Sequence, residues 1–201
     1  MCGRYVSIEE EELMDIRKIV DEVSKKISEN EIKHGEVYPT NNVAVLYSHQ
    51  NKRVLSSAKW GFPNYKGGVV INARAESLGE KPMFRNSFIT RRCVMPAAGY
   101  YEWLTDGRTK TKYQISINDK KIIYLAGLYN IFVDKEGQKY PATTIITTTP
   151  HPDIEFIHNR MPVILSDNNV EKWLDNSITD LGELQDLLIP YSEREIIYKA
   201  V

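Results

Sequence analysis

The chain opens Met1-Cys2-Gly3-Arg4. A small residue in second place normally permits removal of the initiator methionine, which leaves Cys2 with a free α-amine beside its thiol. In model compounds those groups titrate at about 7.7–8.0 and about 8.5, so a useful fraction of each is nucleophilic near neutrality. The amine can condense with an aldehyde to an imine, and the neighbouring thiol can close on the imine carbon to give a five-membered thiazolidine. Alternatively, the thiol can attack a carbonyl with the amine as its base, the chemistry of an N-terminal nucleophile. A cysteine in this position also arises without a role, so it needs partners before chemistry is assigned to it.

Three later segments offer such partners. In Val70-Ile71-Asn72-Ala73-Arg74-Ala75-Glu76-Ser77, the side chains of Asn72, Arg74 and Glu76 fall on one face at the end of an apolar strand. The amide supplies a fixed donor and acceptor and the guanidinium a fork that fits phosphate, although a solvated strand face has the same pattern. In Gly99-Tyr100-Tyr101-Glu102-Trp103, an acid sits among aromatics. Turned inward, Glu102 has a raised pKa and can give or take a proton near neutrality. Turned outward, it meets water while Tyr101 and Trp103 pack; the spacing leaves both open. In Ile157-His158-Asn159-Arg160-Met161-Pro162, His158 lies in a loop just ahead of a strand, a common place for a catalytic imidazole. His151, between Pro150 and Pro152, reads as loop scaffolding. Two cysteines and four histidines are scattered without metal-ligand spacing, which argues against a zinc site. The sequence has no glycine-rich phosphate loop and no Gly-x-Ser-x-Gly elbow, and no cofactor is called for.

These groups must be held by the rest of the 201 residues. Hydrophobic residues make up 42% and charged residues 26%, ordinary for a globular chain, and a chain of this size buries roughly 70% of its unfolded surface. Lys and Arg number 26 against 27 Asp and Glu, a net charge of −1, so no global cationic field draws the chain onto nucleic acid and any such site is a local patch. Cys2 and Cys93 do not form a disulfide framework and suit a reducing compartment. No run approaches the roughly 20 apolar residues of a membrane span and no signal-peptide core follows Met1, so a cytoplasmic protein without membrane contact is expected.

No repeat or Pro/Ser-rich linker divides the sequence, which predicts one domain over residues 1–201. Ser7 and Glu10 carry a capping-box signature ahead of Leu13, Ile16, Val20, Val23 and Ile27, spaced as one helical stripe. The acidic run Glu9 to Glu12 suits the first turn of that helix. After Pro39 short strands take over: a hairpin of 42–47 and 54–59, then 69–72, 93–95, 100–104, 113–117, 122–126, 129–133 and 142–147, with turn signals such as Thr105-Asp106-Gly107 between them. Two short helices, after Asp167 and over 181–188, and a closing strand at 194–198 complete the reading. The class is α+β: a strongly curved, mostly antiparallel, barrel-like sheet with a few flanking helices.

In this order the motifs resemble the SOS-response-associated peptidase (SRAP) family, over most of the chain. The carriers are Met-Cys-Gly-Arg at 1–4, Trp60-Gly61, Ile71-Asn72-Ala73-Arg74-Ala75-Glu76, Arg92-Cys93 with the Gly99-Tyr100-Tyr101-Glu102-Trp103 strand, and Ile157-His158-Asn159-Arg160-Met161-Pro162. The resemblance implies a sensor of abasic sites in single-stranded DNA, bonded to the ring-opened sugar aldehyde through its N-terminal Cys. It implies Cys2 as nucleophile, Asn72 as positioning amide, Glu102 as acid/base and His158 as the histidine that helps move the ring-opening protons. It implies that Arg4, Arg74 and Arg160 bind flanking phosphates; because the net charge is only −1, affinity needs a local arginine patch, for which Arg85, Arg91 and Arg92 are further candidates. Trp60 matches part of an aromatic surface that stacks on an unpaired base. Self-removal of Met1 is the sense of "peptidase" that fits a terminal nucleophile, a lyase-like activity is compatible with it, and a monomer is expected.

The chain departs from the family pattern at Gly35-Glu36-Val37-Tyr38-Pro39, where an Asn is lost and a carboxylate faces the DNA channel, and in a short 62–68 loop without a further tryptophan. Three rival readings remain. Class II glutamine amidotransferases also begin Met-Cys-Gly but need further motifs, such as an Asn-Gly turn, that are not found here. A protease acting on other proteins is the second. A non-catalytic single-strand-binding module, which would tolerate Cys2→Ala, is the third.

Overall fold

Turn chemistry decides where this chain bends. A computed structural model describes residues 2–20, 22–23 and 32–201. It begins with β1 (Arg4–Ser7), α1 (Glu10–Ile19), β2 (Glu22–Val23) and β3 (Glu36–Val37), followed by the hairpin β4 (Asn42–His49) and β5 (Lys52–Trp60). Then come β6 (Phe62–Pro63), β7 (Val69–Val70), β8 (Asn72–Arg74), α2 (Pro82–Thr90), β9 (Arg92–Asp106), β10 (Thr109–Ile117), β11 (Ile123–Val133) and β12 (Lys139–Thr148). The chain ends with β13 (Met161–Pro162), β14 (Ile164–Leu165), α3 (Asp167–Leu174), α4 (Leu181–Asp186) and β15 (Ile196–Ala200). Among the described residues no helix is long and apolar enough to cross a membrane.

Five strands close on themselves. β9 pairs with β4 and β11, β11 with β12, β12 with β5, and β5 with β4. The β5–β12 join is parallel and the others antiparallel, so the expected barrel-like, mostly antiparallel sheet is what forms. Alternate side chains fill a core on each face of these strands. Ala44, Leu46, Val94, Leu128 and Trp173 share one, and Val43, Val45, Met95, Leu125, Ile145 and Cys2 the other. The β4–β5 hairpin turns on Gln50 and Asn51, both at positive φ (50° and 60°), the handedness that matches strand twist.

Two irregularities position the later chemistry. At Gly61 (φ 124°) the chain leaves β5, and an added Cβ would lie 2.7 Å from Val69 Cβ, so only glycine fits. After the β6–β7 detour, β8 returns to β12 beyond β5: Thr143 pairs Trp60, then Ile145 pairs Asn72 and Thr147 pairs Arg74. In β9, Val6 pairs Gly99 while Ser7 pairs Ala97, so Ala98 is the extra residue of a β-bulge. Gly99 is needed there because a Cβ would meet the Ile115 carbonyl oxygen at 2.6 Å.

Several expectations are corrected. Strands read at 93–95 and 100–104 are one strand, β9, and those at 122–126 and 129–133 are one strand, β11. Ser7 does not cap the first helix, because its backbone N–H is bonded to the Gly35 carbonyl in the sheet (2.9 Å). The cap is Glu9, whose N–H donates to the Glu12 carboxylate at 3.0 Å. The helix stops at Ile19, Val23 belongs to β2, parallel to β5, and Ile27 lies outside the described residues. α2, with Pro82 in its first turn and Phe84 and Phe88 buried, was not anticipated.

Arg92 is likewise not a DNA contact. It is 1% exposed and its guanidinium donates to the carbonyls of Phe88 and Ile89 in α2 and of Trp173, Asp175 and Ile178 in and after α3. Burial lowers its pKa to about 10, still charged at neutrality. It therefore ties two helix C-termini to the barrel. Arg92→Met leaves those carbonyls buried and unpaired, and chemical denaturation is expected to register a loss of about 3–5 kcal/mol. A loss below 1 kcal/mol would remove Arg92 from that role.

Candidate active site

The β1–β9 register, Arg4 beside Tyr101 and Tyr5 beside Tyr100, brings the start of the chain alongside Glu102. Cys2 is fully buried, and its Sγ donates to the Arg4 carbonyl at 3.6 Å. Asn72, delivered by the Gly61 detour, donates from Nδ2 to the Cys2 carbonyl at 2.9 Å. Asn72 Oδ1 is buried without a partner among the described residues. Burial pushes the Cys2 thiol well above its usual range, and the Glu102 carboxylate acts in the same direction. The thiol is therefore held protonated.

The bulge at Ala98 settles the orientation of Glu102. Cys93, Met95 and Ala97 share one face of β9; strict alternation would next bring Tyr101 and Trp103 to that face. The extra residue reverses the phase, so Tyr100 (0% exposed) and Glu102 (3%) point inward while Tyr101 and Trp103 stay partly exposed. Burial raises the Glu102 carboxyl to about 7. Tyr100, buried beside it, has its phenol raised by burial and by the charges of Cys2 and Glu102. His158 Nδ1 accepts the Arg160 backbone N–H at 3.0 Å, which puts the proton of the neutral ring on Nε2. Burial lowers the His158 pKa, so its ring is neutral at neutrality. A carboxyl titrating near neutrality can thus exchange protons with a molecule bound beside Cys2, and the neutral imidazole offers its Nε2–H as a hydrogen-bond donor.

The expected cations fall into different surroundings. Arg160 is committed: its Nη1 and Nη2 donate to the two Glu76 oxygens at 2.6 and 2.9 Å, and Nη2 also to the Thr147 carbonyl at 2.6 Å. Arg4 pairs with Glu36 at 2.9 Å. Arg74 stands exposed at the end of β8. Arg85 stands exposed on α2, which packs on β9 and β11, and Arg91 donates to Asn130 Oδ1 at 2.6 Å. Trp60 does not belong to an aromatic surface. It is 0% exposed, donates Nε1–H to the Ile71 carbonyl (3.1 Å) and packs edge-on to Tyr5, because the break at Gly61 folds the returning strand over it. No face is left for a base. Partly exposed rings stand instead beside Arg4 and Lys112: Tyr38, Tyr101 and Trp103. Lys112 could not be picked from sequence, since only the β9–β10 register sets it opposite Trp103.

A family model described as SOS response associated peptidase (SRAP) matches residues 1–201. Abasic site processing protein YoqW of Bacillus subtilis (strain 168) is 37% identical over 206 residues, covering 95% of this chain and 88% of YoqW. Abasic site processing protein YobE of the same organism is 36% identical over 206 residues, covering 95% of this chain and 90% of YobE. A crystal structure of a protein from Bacteroides thetaiotaomicron has the same fold, with a TM-score of 0.85 at 25% identity over 100% of this chain and 92% of that one.

Proposed function

This chain belongs to the SOS response associated peptidase family, and on that premise we propose that it processes abasic sites in single-stranded DNA by bonding to them through Cys2. The observation that carries the reading is the convergence of Cys2, Asn72 and Glu102 from three distant segments, with the Cys2 carbonyl held by the Asn72 amide. The names of YoqW and YobE support the substrate.

An abasic sugar equilibrates between a closed hemiacetal and an open aldehyde. Protonated Glu102 can give its proton to the ring oxygen while its second oxygen takes the proton of the C1′ hydroxyl, which opens the ring, and the Nε2–H of neutral His158 donates a hydrogen bond that steadies the sugar. Hydrolysis of the Met1–Cys2 bond, a self-processing step in this proposal, supplies the Cys2 amine. That amine adds to the aldehyde carbon and water leaves, giving an imine. The thiol then adds to the imine carbon, its proton passing to the nitrogen, and the thiazolidine closes with one water lost overall. Asn72 contributes by fixing the Cys2 backbone, since orientation of this kind is worth several kcal/mol.

Intact mass spectrometry tests the whole sequence. The purified chain is expected to lack Met1, and after incubation with an abasic single-stranded oligonucleotide to gain the oligonucleotide's mass less one water. An adduct on a chain that keeps Met1 would exclude the amine. No adduct at all would sink the proposal.

A further inference from the structure

On the sheet face opposite Glu102, two cations share one carboxylate. Glu36 Oε1 accepts from Arg4 Nη1 at 2.9 Å and from Lys112 Nζ at 2.8 Å. Registers put them together: Glu36 lies beside Val6, Arg4 beside Tyr101 and Lys112 beside Trp103, and pleating sends these side chains to one face. The Arg4 guanidinium stands 4.0 Å from the Tyr38 ring centre and 5.4 Å from that of Trp103. The Lys112 ammonium stands 3.8 Å from the Tyr101 ring centre and 5.8 Å from that of Trp103. The side chains of Arg4, Glu36 and Lys112 remain 34%, 27% and 23% exposed, so the cluster is open to a ligand.

We propose that this cluster is a phosphodiester subsite for single-stranded DNA, in which Glu36 occupies the phosphate position until the strand displaces it and Lys112 binds the phosphate together with Arg4. The inference rests on the abasic-site reading for its ligand and adds two residues to it. A carboxylate oxygen held between a guanidinium and an ammonium at 2.8–2.9 Å presents what a non-bridging phosphate oxygen would present. Its pairing with Lys112 and Arg4 keeps the Glu36 carboxyl below its usual range, so it is charged at neutrality and competes with a phosphate. Partly exposed ion pairs of this kind contribute little to stability and open readily. Tyr38, Tyr101 and Trp103 offer ring faces for the adjoining bases, and Arg4 lies two residues from Cys2 along the chain. The consequence is functional. With its cations partly neutralised and a net charge of only −1, the chain grips undamaged DNA loosely and leaves permanence to the covalent bond.

The test uses an undamaged single-stranded oligonucleotide, whose binding is followed by fluorescence anisotropy over a salt series. The proteins are wild type, Glu36→Gln, Lys112→Ala and the double variant, each checked for folding by thermal melting. Glu36→Gln is expected to bind at least about fivefold tighter at low salt, since a like charge beside the phosphate is removed. Lys112→Ala is expected to bind more weakly, with a slope of log K against log salt shallower by about 0.7, one phosphate contact. The double variant keeps only part of the Glu36→Gln gain. A Glu36→Gln protein no tighter than wild type overturns the displacement, and a Lys112→Ala slope equal to wild type overturns the phosphate contact. Should Glu36→Gln not fold, the Lys112→Ala slope decides. Wild-type adduct formation on an abasic oligonucleotide, measured alongside, reports separately on the reading beneath.

Discussion

Cys2→Ala is expected to give no adduct that survives denaturing electrophoresis, while Cys93→Ser still gives one. The contrast follows from position, not from thiol chemistry alone. Both thiols are buried, and burial raises the pKa of each, Cys93 to about 12. Cys93, however, lies on the barrel strand β9, its Sγ 3.4 Å from Thr143 Oγ1 inside the core. It has no amine on the neighbouring carbon and no route to a sugar. Under the proposed processing, Cys2 is the residue left with an amine and a thiol on adjacent carbons. Once Met1 is gone, Cys2→Ala keeps the amine and so forms only an imine, which borohydride can trap and water can hydrolyse. Cys2→Ser closes an oxygen ring that opens more readily than the thiazolidine. Cys93→Ser is expected to cost about 1–2 kcal/mol in stability and nothing in adduct yield. A stable adduct on Cys2→Ala, or its loss from folded Cys93→Ser, excludes the thiazolidine.

How far such a site could be read from sequence depends on the range of the interactions that build it. The strand pattern was readable because alternation and turn residues are local. The Lys52 side of the first hairpin and the start of β12 extend beyond the expected bounds only because pairing continues to the turn. Pro96 and Gly99 look like breaks, yet β9 runs through both, with Pro96 opposite Tyr124 and Gly99 admitting the close approach of β10. The direction of Glu102 was undecidable from spacing, because one bulged residue reverses the count and nothing at Ala98 announces it. Motif membership puts Trp60 on a surface, but it carries no information about which side of a strand break a ring falls on. Arg160 and Glu76 both stand out in the sequence, but their pairing spans 84 residues and depends on β8 and β13 both pairing with β12. Glu36 stands out in the sequence as a departure from the family pattern, whereas its two cationic partners follow only from sheet register. The nucleophile itself needed no fold to be found, and its held carbonyl needed all of it.

The second large effect is expected at Glu102. Glu102→Gln preserves the shape of the side chain but cannot carry a proton between donor and acceptor, so adduct formation should slow by about 10²–10⁴-fold. Noncovalent binding of undamaged single strands should be unchanged, because the carboxyl lies on the inner face, away from the cations proposed to meet the backbone. The pH profile gives an independent reading. Burial raises the carboxyl to about 7, so a wild-type rate that needs the protonated acid falls as pH rises through that value, and the Gln variant lacks that limb. Stability must move with the same proton. A carboxyl whose folded pKa lies above its unfolded value, here about 7 against 4.5, binds the proton more tightly when folded. Its contribution is greatest below the unfolded pKa and is lost as pH rises through the folded one. Above pH 7 the native wild type therefore carries a buried charge that Glu102→Gln does not. Urea denaturation should find the variant more stable than wild type at pH 8, with the difference shrinking toward pH 4.5. His158→Ala acts on the same ring-opening step, so the double variant should lose less than the product of the single losses. A wild-type rate and pH limb in folded Glu102→Gln would leave Glu102 a buried structural acid and hand the proton to another group, with the buried Tyr100 hydroxyl the first to test.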